Sequence, residues 1–332
     1  MKKLITVFLC LCAISAFAVE LPKGVTFTEG SLNSVTIDKD GKKLVVYGAK
    51  AKVAAEHTLI THARRDLVEF ARNSGAPITA PALSESLLTD PASLWSDFWT
   101  KRFDYYGQEV TKWPTEALTP KQLVKGGEVV NWQGLSFKVI ETRGYTTDMI
   151  AFVVEIEGKK VAFTGDLIWE GGRVWDIYSF QNAIPDAKVG AYHGHGGRFG
   201  DWITALQKVA AEKPDMILPL RGPAIGDPLK DIDTAINRVR AIYKNYLSTN
   251  ALHWYFGKER METCGKIVLG KDPEIELMPF CEHIDLPNWC QHIGTTKLLV
   301  SKDKTAFALD VGGNKQFETL KQLLADGVIK KI

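Results

Sequence analysis

The sequence has almost no excess of charge of either sign and no long basic tract. Lysine and arginine total 41 residues, against 39 aspartates and glutamates, in a chain of 332. Nucleic-acid-binding proteins usually concentrate positive charge on one surface, so this balance excludes nucleic acid as the expected partner. Glycine and proline are not abundant, at 28 and 14 residues, and 45% of the residues are hydrophobic. These proportions exclude a disordered or collagen-like chain and predict one large or two modest globular domains.

Long hydrophobic runs are missing as well. The longest one, residues 4–14, is well short of the roughly 20 residues that span a bilayer, so we expect no membrane span. It follows Lys2 and Lys3 and precedes Ala16-Phe17-Ala18, the small-x-small pattern after which signal peptidases cut. We therefore interpret residues 1–18 as a signal peptide and expect a secreted or periplasmic protein.

Few cysteines remain beyond that segment, namely Cys264, Cys281 and Cys290. Export to an oxidising compartment permits a disulfide, and an odd number leaves one thiol unpaired. Cys281 and Cys290 are the favoured pair because they are close in sequence, but sequence does not fix connectivity. Three buried thiols that behave as small hydrophobic side chains are the alternative.

Strands and helices alternate along the chain. A β-hairpin is predicted over residues 35–47 around the Asp40-Gly41 turn, and an antiparallel meander over residues 128–164. Amphipathic helices are predicted over residues 201–212 and 231–246. This alternation predicts α/β or α+β layers rather than a helix bundle.

Four segments carry a resemblance to a known family. In chain order they are a strand that ends in Thr61-His62, residues 127–142, the run Val161-Ala162-Phe163-Thr164-Gly165-Asp166, and residues 217–223. This order resembles the metallo-β-lactamase fold superfamily, the glyoxalase II-like metallohydrolases in particular. The resemblance implies an α/β (α+β) fold, a four-layer αβ/βα sandwich over residues 22–225, with a metal site on one edge between two sheets.

The metal-binding positions of that family are only partly retained. In the family a His-x-His-x-Asp-His box, a later His, a bridging Asp and a last His hold two metal ions that activate a bridging water for hydrolysis. The matching positions in this chain are His62, Arg64, Asp66, Leu67, Tyr145, Asp166 and Arg221. Leucine offers no donor atom and arginine only donates hydrogen bonds, whereas a catalytic zinc generally needs three protein ligands. The resemblance therefore implies a hydrolase with a degenerate metal site.

Our first hypothesis is that salt bridges replace the dinuclear centre. Arg64 and Arg221 would pair with Asp66 and Asp166, which then no longer coordinate metal. The chain would be a weakly active or inactive hydrolase, acting on a small molecule. If it is active, the candidate catalytic residues are Asp66, Tyr145 and Arg221, with Tyr145 or Arg221 contacting an anion or oxyanion.

A second hypothesis retains one zinc ion. His193 and His195 are two residues apart, which points both imidazoles to one side if the backbone is extended. With Asp166 or His62 they would form a mononuclear site. The alternative is a glycine-rich loop whose histidines are merely solvated.

A third interpretation is a non-catalytic unit that supports or binds substrate for a second hydrolase unit. Arg64, Arg221 and Tyr145 would then form a small anion pocket. The aromatic stretch over residues 95–113 would wall a pocket beside that edge, or else form local core.

The end of the sequence resembles its beginning. Residues 298–309 repeat the strand, Lys-Asp turn and strand of residues 35–46, and a helix over residues 316–325 follows. We expect residues 226–290 to form a helical connector and residues 291–332 to be the truncated start of a second metallo-β-lactamase-like unit. A short strand-and-helix appendage to the first domain is the alternative.

Overall fold

The computed structural model describes residues 19–249, 256–270 and 286–332. The chain divides into two compact units, Met1–Met278 and Pro279–Ile332, here called unit 1 and unit 2. The predicted signal peptide and Cys281 lie outside the described residues. Cys264 is buried, Cys290 is half-buried, and both are free thiols. No helix in the described ranges is long and apolar enough to cross a membrane.

The first sheet of unit 1 contains six strands in sequence order. They are β1 (Val25–Thr28), β2 (Ser34–Lys39), β3 (Lys42–Val46), β4 (His57–Leu59), β5 (Ile78–Pro81) and β6 (Gln122–Val124). β1 to β3 are antiparallel, and β3 to β6 are parallel. The predicted hairpin is β2 and β3, and its Asp40-Gly41 turn has φ of 54° and 78°, the left-handed pair that suits a right-handed strand twist.

The second sheet of unit 1 is built mainly from the predicted meander. Its strands are β7 (Val129–Trp132), β8 (Leu135–Glu141), β9 (Ile150–Ile156), β10 (Lys159–Phe163) and β11 (Met216–Ile217), in the order β11-β10-β9-β8-β7. β7 to β10 are antiparallel neighbours. β11 pairs in parallel with β10, and a long segment of the chain separates the two strands. Asp166 follows β10 and Arg221 follows β11. Because these two strands are parallel neighbours, both residues lie at the same edge of the sheet.

The two sheets pack against each other with helices outside them. Phe137, Phe152 and Phe163 of the second sheet share a core with residues of the first sheet. The alternate residues Ala151 and Val153 point to the other face, where they pack with helices α4 (Phe199–Ala211), α5 (Pro228–Thr249) and α6 (Lys258–Leu269). Helix α1 (Arg65–Asn73) joins the parallel strands β4 and β5 and so covers the outer face of the first sheet. The result is the four-layer αβ/βα sandwich that the resemblance implied.

The helices differ from the predicted ones mainly at their ends. The helix predicted over residues 201–212 begins earlier, at Phe199, and the one predicted over residues 231–246 extends to Pro228 and Thr249. The apolar faces of α5 and α6, which lie in the stretch interpreted as a connector, pack into one core with the second sheet. The intervening stretch after β5 forms α2 (Glu85–Thr89) and α3 (Pro91–Lys101).

The described part of unit 2 is a small sheet with one helix. Its strands β12 (Cys290–Ile293), β13 (Thr296–Val300) and β14 (Ala306–Leu309) are antiparallel neighbours, followed by α7 (Asn314–Ala325). Thr305 and Lys331 form a further parallel bridge. Its buried apolar core consists of Leu298, Ala306, Leu320 and Ile329. Unit 2 thus has the strand, turn, strand and helix predicted there, and its kinship to a second hydrolase unit stays a prediction.

Candidate functional site

Five of the predicted site residues meet at the sheet edge where the ends of several strands converge. His62 lies in the loop after β4, and Asp66 lies in the first turn of α1. Tyr145 lies in the loop between β8 and β9, Asp166 follows β10, and Arg221 follows β11. We call these residues and Arg64 the edge cluster. Each residue of the edge cluster lies in a loop after a strand or at the start of helix α1, so these regular elements fix its position.

Arg221 joins the two aspartates of the edge cluster. Its Nη1 donates to both carboxylate oxygens of Asp166, and its Nη2 donates to Oδ2 of Asp66. The Arg221 side chain is only 5% exposed and that of Asp166 is fully buried, whereas that of Asp66 is 43% exposed. One guanidinium therefore bridges two carboxylates, one from each sheet's side of the edge.

Arg64 forms a second set of contacts to the same acids. Its Nε donates to Oδ1 of Asp66 at 3.0 Å, and its Nη1 donates to the Tyr145 hydroxyl at 2.7 Å. Its Nη1 also lies 3.9 Å from Oδ2 of Asp166. The backbone amide of Leu67 donates to Oδ1 of Asp66 at 3.0 Å, which further fixes that carboxylate. Both arginines thus contact both aspartates.

The His62 imidazole is fully buried beside Asp166. Its Nδ1 lies 3.0 Å from the Thr61 hydroxyl oxygen. Its Nε2 lies 3.4 Å from Oδ2 of Asp166, which is longer than an ordinary nitrogen–oxygen hydrogen bond. Among the described residues this nitrogen has no hydrogen-bond partner. It is a buried polar atom that faces the carboxylate without a well-formed bond.

Tyr145 links the edge cluster to residues that sequence reasoning missed. Its hydroxyl donates to Oδ2 of Asp176 at 2.8 Å, and Lys112 Nζ donates to the same oxygen at 2.8 Å. The backbone amide of Ser179 donates to Oδ1 of Asp176 at 2.7 Å. An Asp that accepts from the amide three residues later is a local turn signal, so Asp176 was detectable as a turn residue. Lys112 had no such signal because it lies in a distant segment.

The pKa shifts at the edge cluster follow from burial and pairing. Burial alone would raise the pKa of Asp166, but the contacts with His62 and Arg221 outweigh it and hold that pKa well below its usual range. Burial raises the pKa of Tyr145, the charge of Asp166 raises it further, and Arg64 opposes both only in part. Burial would lower the pKa of Arg64, but Tyr145 and Asp166 outweigh it and raise it. Asp166 therefore stays ionised and Tyr145 stays protonated at neutral pH.

The edge cluster together with Lys112 and Asp176 contains equal numbers of positive and negative groups. The cationic groups are Arg64, Arg221 and Lys112, and the anionic groups are Asp66, Asp166 and Asp176. Every one of these ion pairs lies within 4.0 Å. The guanidinium nitrogens point at carboxylates of the same chain, so the arrangement leaves no surplus positive charge for a bound anion.

A cavity lies beside Arg64 and Tyr145. Its other polar walls include Lys112, Asp148 and Ser179, and its volume is about 10 Å³. That is room for about one water molecule, and not for a substrate. The Asp148 carboxylate accepts from the Ala63 amide at 2.7 Å and thereby anchors the segment that carries His62 and Arg64.

Trp175 lies over Arg221 and stacks on Trp169. The rings of Trp169 and Trp175 lie 5.4 Å apart at an angle of 12°, and the Arg221 guanidinium carbon lies 5.2 Å from the Trp175 centroid. Trp169 packs against Gly222, where a Cβ would collide with its ring. A cation over an aromatic face gains further stabilisation, so this contact helps to fix the guanidinium.

His193 and His195 adopt a geometry different from the predicted one. Residues Ala191–His193 form a 3-10 turn, and the Gly194 amide donates to the Ala191 carbonyl at 3.2 Å. The extended backbone on which the shared direction of the two imidazoles depended is therefore not present, since a hydrogen bond closes a local turn there. The His193 ring contacts Tyr192 and Phe256, and the His195 ring contacts Tyr246. Burial, and secondarily the charge of His193, lowers the pKa of His195.

The edge cluster does not fit the metal ions that the fold family implies. The Arg221 guanidinium stands between the two carboxylates that would ligate them, and arginine carries no lone pair to offer. Leu67 is buried and apolar at another ligand position. Within the described residues no three His, Cys, Asp or Glu side chains are grouped as a metal site requires.

No protein-family model matches the sequence. In structure the chain is similar to a beta-lactamase from Chitinophaga pinensis, at 13% identity and a TM-score of 0.48, covering 68% of this chain and 91% of that one. It is similar to a metallo-beta-lactamase family protein from Thermus thermophilus, at 14% identity and a TM-score of 0.47, covering 74% and 91%. It is also similar to a Cronobacter sakazakii metallo-beta-lactamase with a HARLDQ motif, at 13% identity and a TM-score of 0.45, covering 70% and 93%.

The architecture defines the class of this protein. Two sheets packed face to face, helices on both outer sides, and an edge that carries His62, Asp66 and Asp166 make it a protein of metallo-β-lactamase fold. Arg64 and Arg221 stand at this edge, at positions where the resemblance implied metal ligands.

Proposed function

We propose that this chain is an exported hydrolase-like protein of metallo-β-lactamase fold whose first unit holds no catalytic metal and is weakly active or inactive. The observation that carries the proposal is the Arg221 guanidinium, which bridges Asp66 and Asp166. A fixed cation of the protein itself neutralises the carboxylates that would otherwise ligate metal. The edge cluster is then a structural centre that holds the two sheets together.

The remaining groups of the cluster are poorly suited to activate water. A general base must be unprotonated and within reach of the water it activates. The raised pKa of Tyr145 keeps its phenol protonated, and both guanidinium groups only donate hydrogen bonds. The His62 ring is fully buried beside Asp166. Metal-independent hydrolysis at this edge is therefore expected to be slow.

The alternative role as an anion-binding unit has less support. It requires guanidinium donors that point outward, whereas Arg64 and Arg221 donate to Asp66, Asp166 and Tyr145. The mononuclear zinc alternative also has less support, because the backbone at His193 is turned rather than extended.

Metal content and hydrolysis of the purified chain test the proposal together. We expect far less than one zinc per chain by elemental analysis after dialysis against zinc-free buffer. We also expect no chelator-sensitive hydrolysis of a chromogenic β-lactam, a thioester or a phosphodiester. Two tightly bound zinc ions per chain, with hydrolysis that EDTA abolishes, would overturn it.

A further inference from the structure

We infer that an exposed group of aromatic side chains in unit 1 is the interface through which two copies of this chain form a symmetric dimer. The group consists of Trp99, Phe103, Tyr105 and Tyr192, and we call it the aromatic surface. Tyr192 comes from the 3-10 turn described above, and the other three come from the aromatic stretch over residues 95–113. The inference goes beyond the proposed function and does not depend on it.

The four rings of the aromatic surface are exposed to an unusual extent for such large apolar side chains. Each of them is between 56% and 68% accessible to solvent. Because an aromatic side chain covers about 150–250 Å², the four together present roughly 500 Å² to solvent. The largest apolar patch of a monomeric protein is typically about 300–600 Å² and often functional, so a surface of this size indicates an interaction site.

The rings form a continuous patch rather than scattered positions. The guanidinium carbon of Arg102 lies 5.4 Å from the centroid of the Trp99 ring and 4.8 Å from that of Phe103. The centroids of the Phe103 and Tyr192 rings lie 5.8 Å apart, and the Tyr192 amide donates to the Phe103 carbonyl at 3.1 Å. Tryptophan, tyrosine and arginine are the residues that most often dominate the binding energy of protein interfaces. The composition of the patch is therefore that of a protein-binding site.

The chain beneath the aromatic surface holds the exposed rings in place. Rings of the same stretch pack edge to face with centroids 5.1 to 6.2 Å apart, namely those of Trp95, Phe98, Trp99, Tyr106 and Trp113. The carboxylate of Glu109 forms a buried ion pair with Arg198, which ties this stretch to the residue before α4. The Tyr105 amide donates to the Lys101 carbonyl at 3.1 Å, which holds Tyr105 beside the end of α3. A surface ordered in advance loses little conformational entropy when it binds.

The charges beside the rings complement those of a second copy. Arg102 and Asp104 are exposed, and neither has an ion-pair partner among the described residues. A twofold interface brings the same patch of both protomers together, so Arg102 of one protomer lies opposite Asp104 of its partner, and the reverse pair forms as well. An anionic surface would attract the arginine but repel the aspartate. The pair therefore favours a second copy over a lipid surface or a polyanion.

The area of the patch also agrees with the requirement of a stable dimer. A standard interface buries about 800 Å² on each partner, and about 65% of a homodimer interface is apolar. The aromatic surface, at roughly 500 Å², is close to that apolar share. The exposed side chains of Thr100, Arg102 and Asp104 supply a polar rim.

The test measures the oligomeric state of the full-length chain by sedimentation velocity over a series of protein concentrations. Trp99→Ala removes one ring, and Arg102→Glu and Asp104→Arg each invert one charge. Leu229→Ala is the control, because Leu229 is an exposed apolar residue of α5 outside the aromatic surface. All four substitutions are at exposed positions, so thermal melting should show folded proteins. If Trp99→Ala does not fold, the two charge variants carry the test.

We expect the natural chain to dimerise with a Kd of about 1 μM or tighter, as interfaces of standard size do. Trp99→Ala should raise the Kd at least about thirtyfold, because a symmetric interface loses this ring on both sides. Leu229→Ala should leave the Kd unchanged.

The charge variants test whether the patch meets itself. Arg102→Glu and Asp104→Arg should each stay monomeric at concentrations at which the natural chain dimerises, because like charges then face each other. An equal mixture of the two variants should dimerise again, because one protomer then brings two acids and its partner two arginines.

Three results would overturn the inference. The first is a natural chain that is monomeric at every concentration. The second is a dimer that neither Trp99→Ala nor the charge variants weaken, which would place the interface elsewhere. The third is a mixture of Arg102→Glu and Asp104→Arg that stays monomeric, which would exclude the symmetric pairing. Flotation with vesicles of phosphatidylcholine and phosphatidylglycerol completes the test: a monomeric natural chain that binds them, and loses binding in Trp99→Ala, would assign the aromatic surface to lipid instead.

Discussion

Arg221 is the residue that joins the two aspartates of the edge cluster. Its planar guanidinium presents several N–H donors in a fixed geometry that matches carboxylates, which a lysine cannot reproduce. The sequence places Asp66 and Asp166 one hundred residues apart, and Arg221 contacts both. The pairing of the two arginines with the two aspartates is the geometry that our first hypothesis requires.

The pH dependence of stability should report the Asp166 pair. The folded-state pKa of Asp166 lies below the value of about 3.9 expected in the unfolded chain. Its contribution to the free energy of unfolding is therefore fully present above about pH 4 and is lost as the pH falls through the folded-state pKa. We expect the natural chain to lose more stability below pH 4 than the double variant Asp166→Asn with Arg221→Met. Urea unfolding at several pH values measures this, and parallel acid losses in both proteins would contradict it.

At the scale of elements, the turn after β10 determines how closely the two sheets approach. Gly165 has φ of +59°, and an added Cβ would collide with the Thr61 hydroxyl oxygen and approach His62. The Gly165 amide donates to the Tyr47 hydroxyl at 3.2 Å, and that hydroxyl donates to the Leu218 carbonyl at 2.6 Å. A small residue is needed there because a side chain would separate the histidine loop from the strand that carries Asp166.

Gly165→Ala should therefore destabilise unit 1 by about 2–4 kcal/mol, from left-handed backbone strain together with overpacking. Gly158→Ala is the matched control, since Gly158 has φ of +74° with no atom within 4 Å of an added Cβ. The control should lose only about 1–2 kcal/mol, from backbone strain alone. Urea unfolding of both variants measures the difference, and equal losses would show that the contact with Thr61 does not matter.

At the scale of the whole molecule, the two units have very different cores. The described residues of unit 1 form two large buried apolar clusters, whereas the buried apolar cluster in the described part of unit 2 has four residues. A sheet of three strands with so few buried side chains has little stability of its own. Trp289 and Phe307 of unit 2 are exposed by more than half.

Leu320→Ala should consequently unfold unit 2 without affecting unit 1. Leucine-to-alanine substitutions in a core cost about 2–5 kcal/mol, which is comparable with the whole stability of such a unit. Hydrogen exchange followed by mass spectrometry should show lost protection in β12, β13 and β14 and unchanged protection in β8 to β10. Leu206→Ala, at a fully buried position of unit 1, is the control: it should lower protection in unit 1 without abolishing it, and should leave protection in unit 2 unchanged. Equal loss of protection in both units would contradict independent unfolding.

Much of the fold followed from local patterns. The hairpin of β2 and β3, the meander of β7 to β10 and the amphipathic faces of α4 and α5 depend on spacing and turn residues within short windows. The sandwich followed from the resemblance carried by four segments: the strand that ends in Thr61-His62 and residues 127–142, 161–166 and 217–223. Helix ends and the turn at His193 were less predictable, because a few backbone hydrogen bonds decide them.

The sequence by itself determined where most strands and helices lie along the chain, since these depend on neighbouring residues. That His62, Asp66, Asp166 and Arg221 share one edge followed from the resemblance. Only the tertiary structure decided that one guanidinium bridges Asp66 and Asp166 and that Tyr145 and Lys112 both donate to Asp176. It also decided that His193 and His195 lie in a turn. Those contacts join segments tens of residues or more apart, or depend on a single local hydrogen bond, and packing of both sheets is what brings the partners within reach.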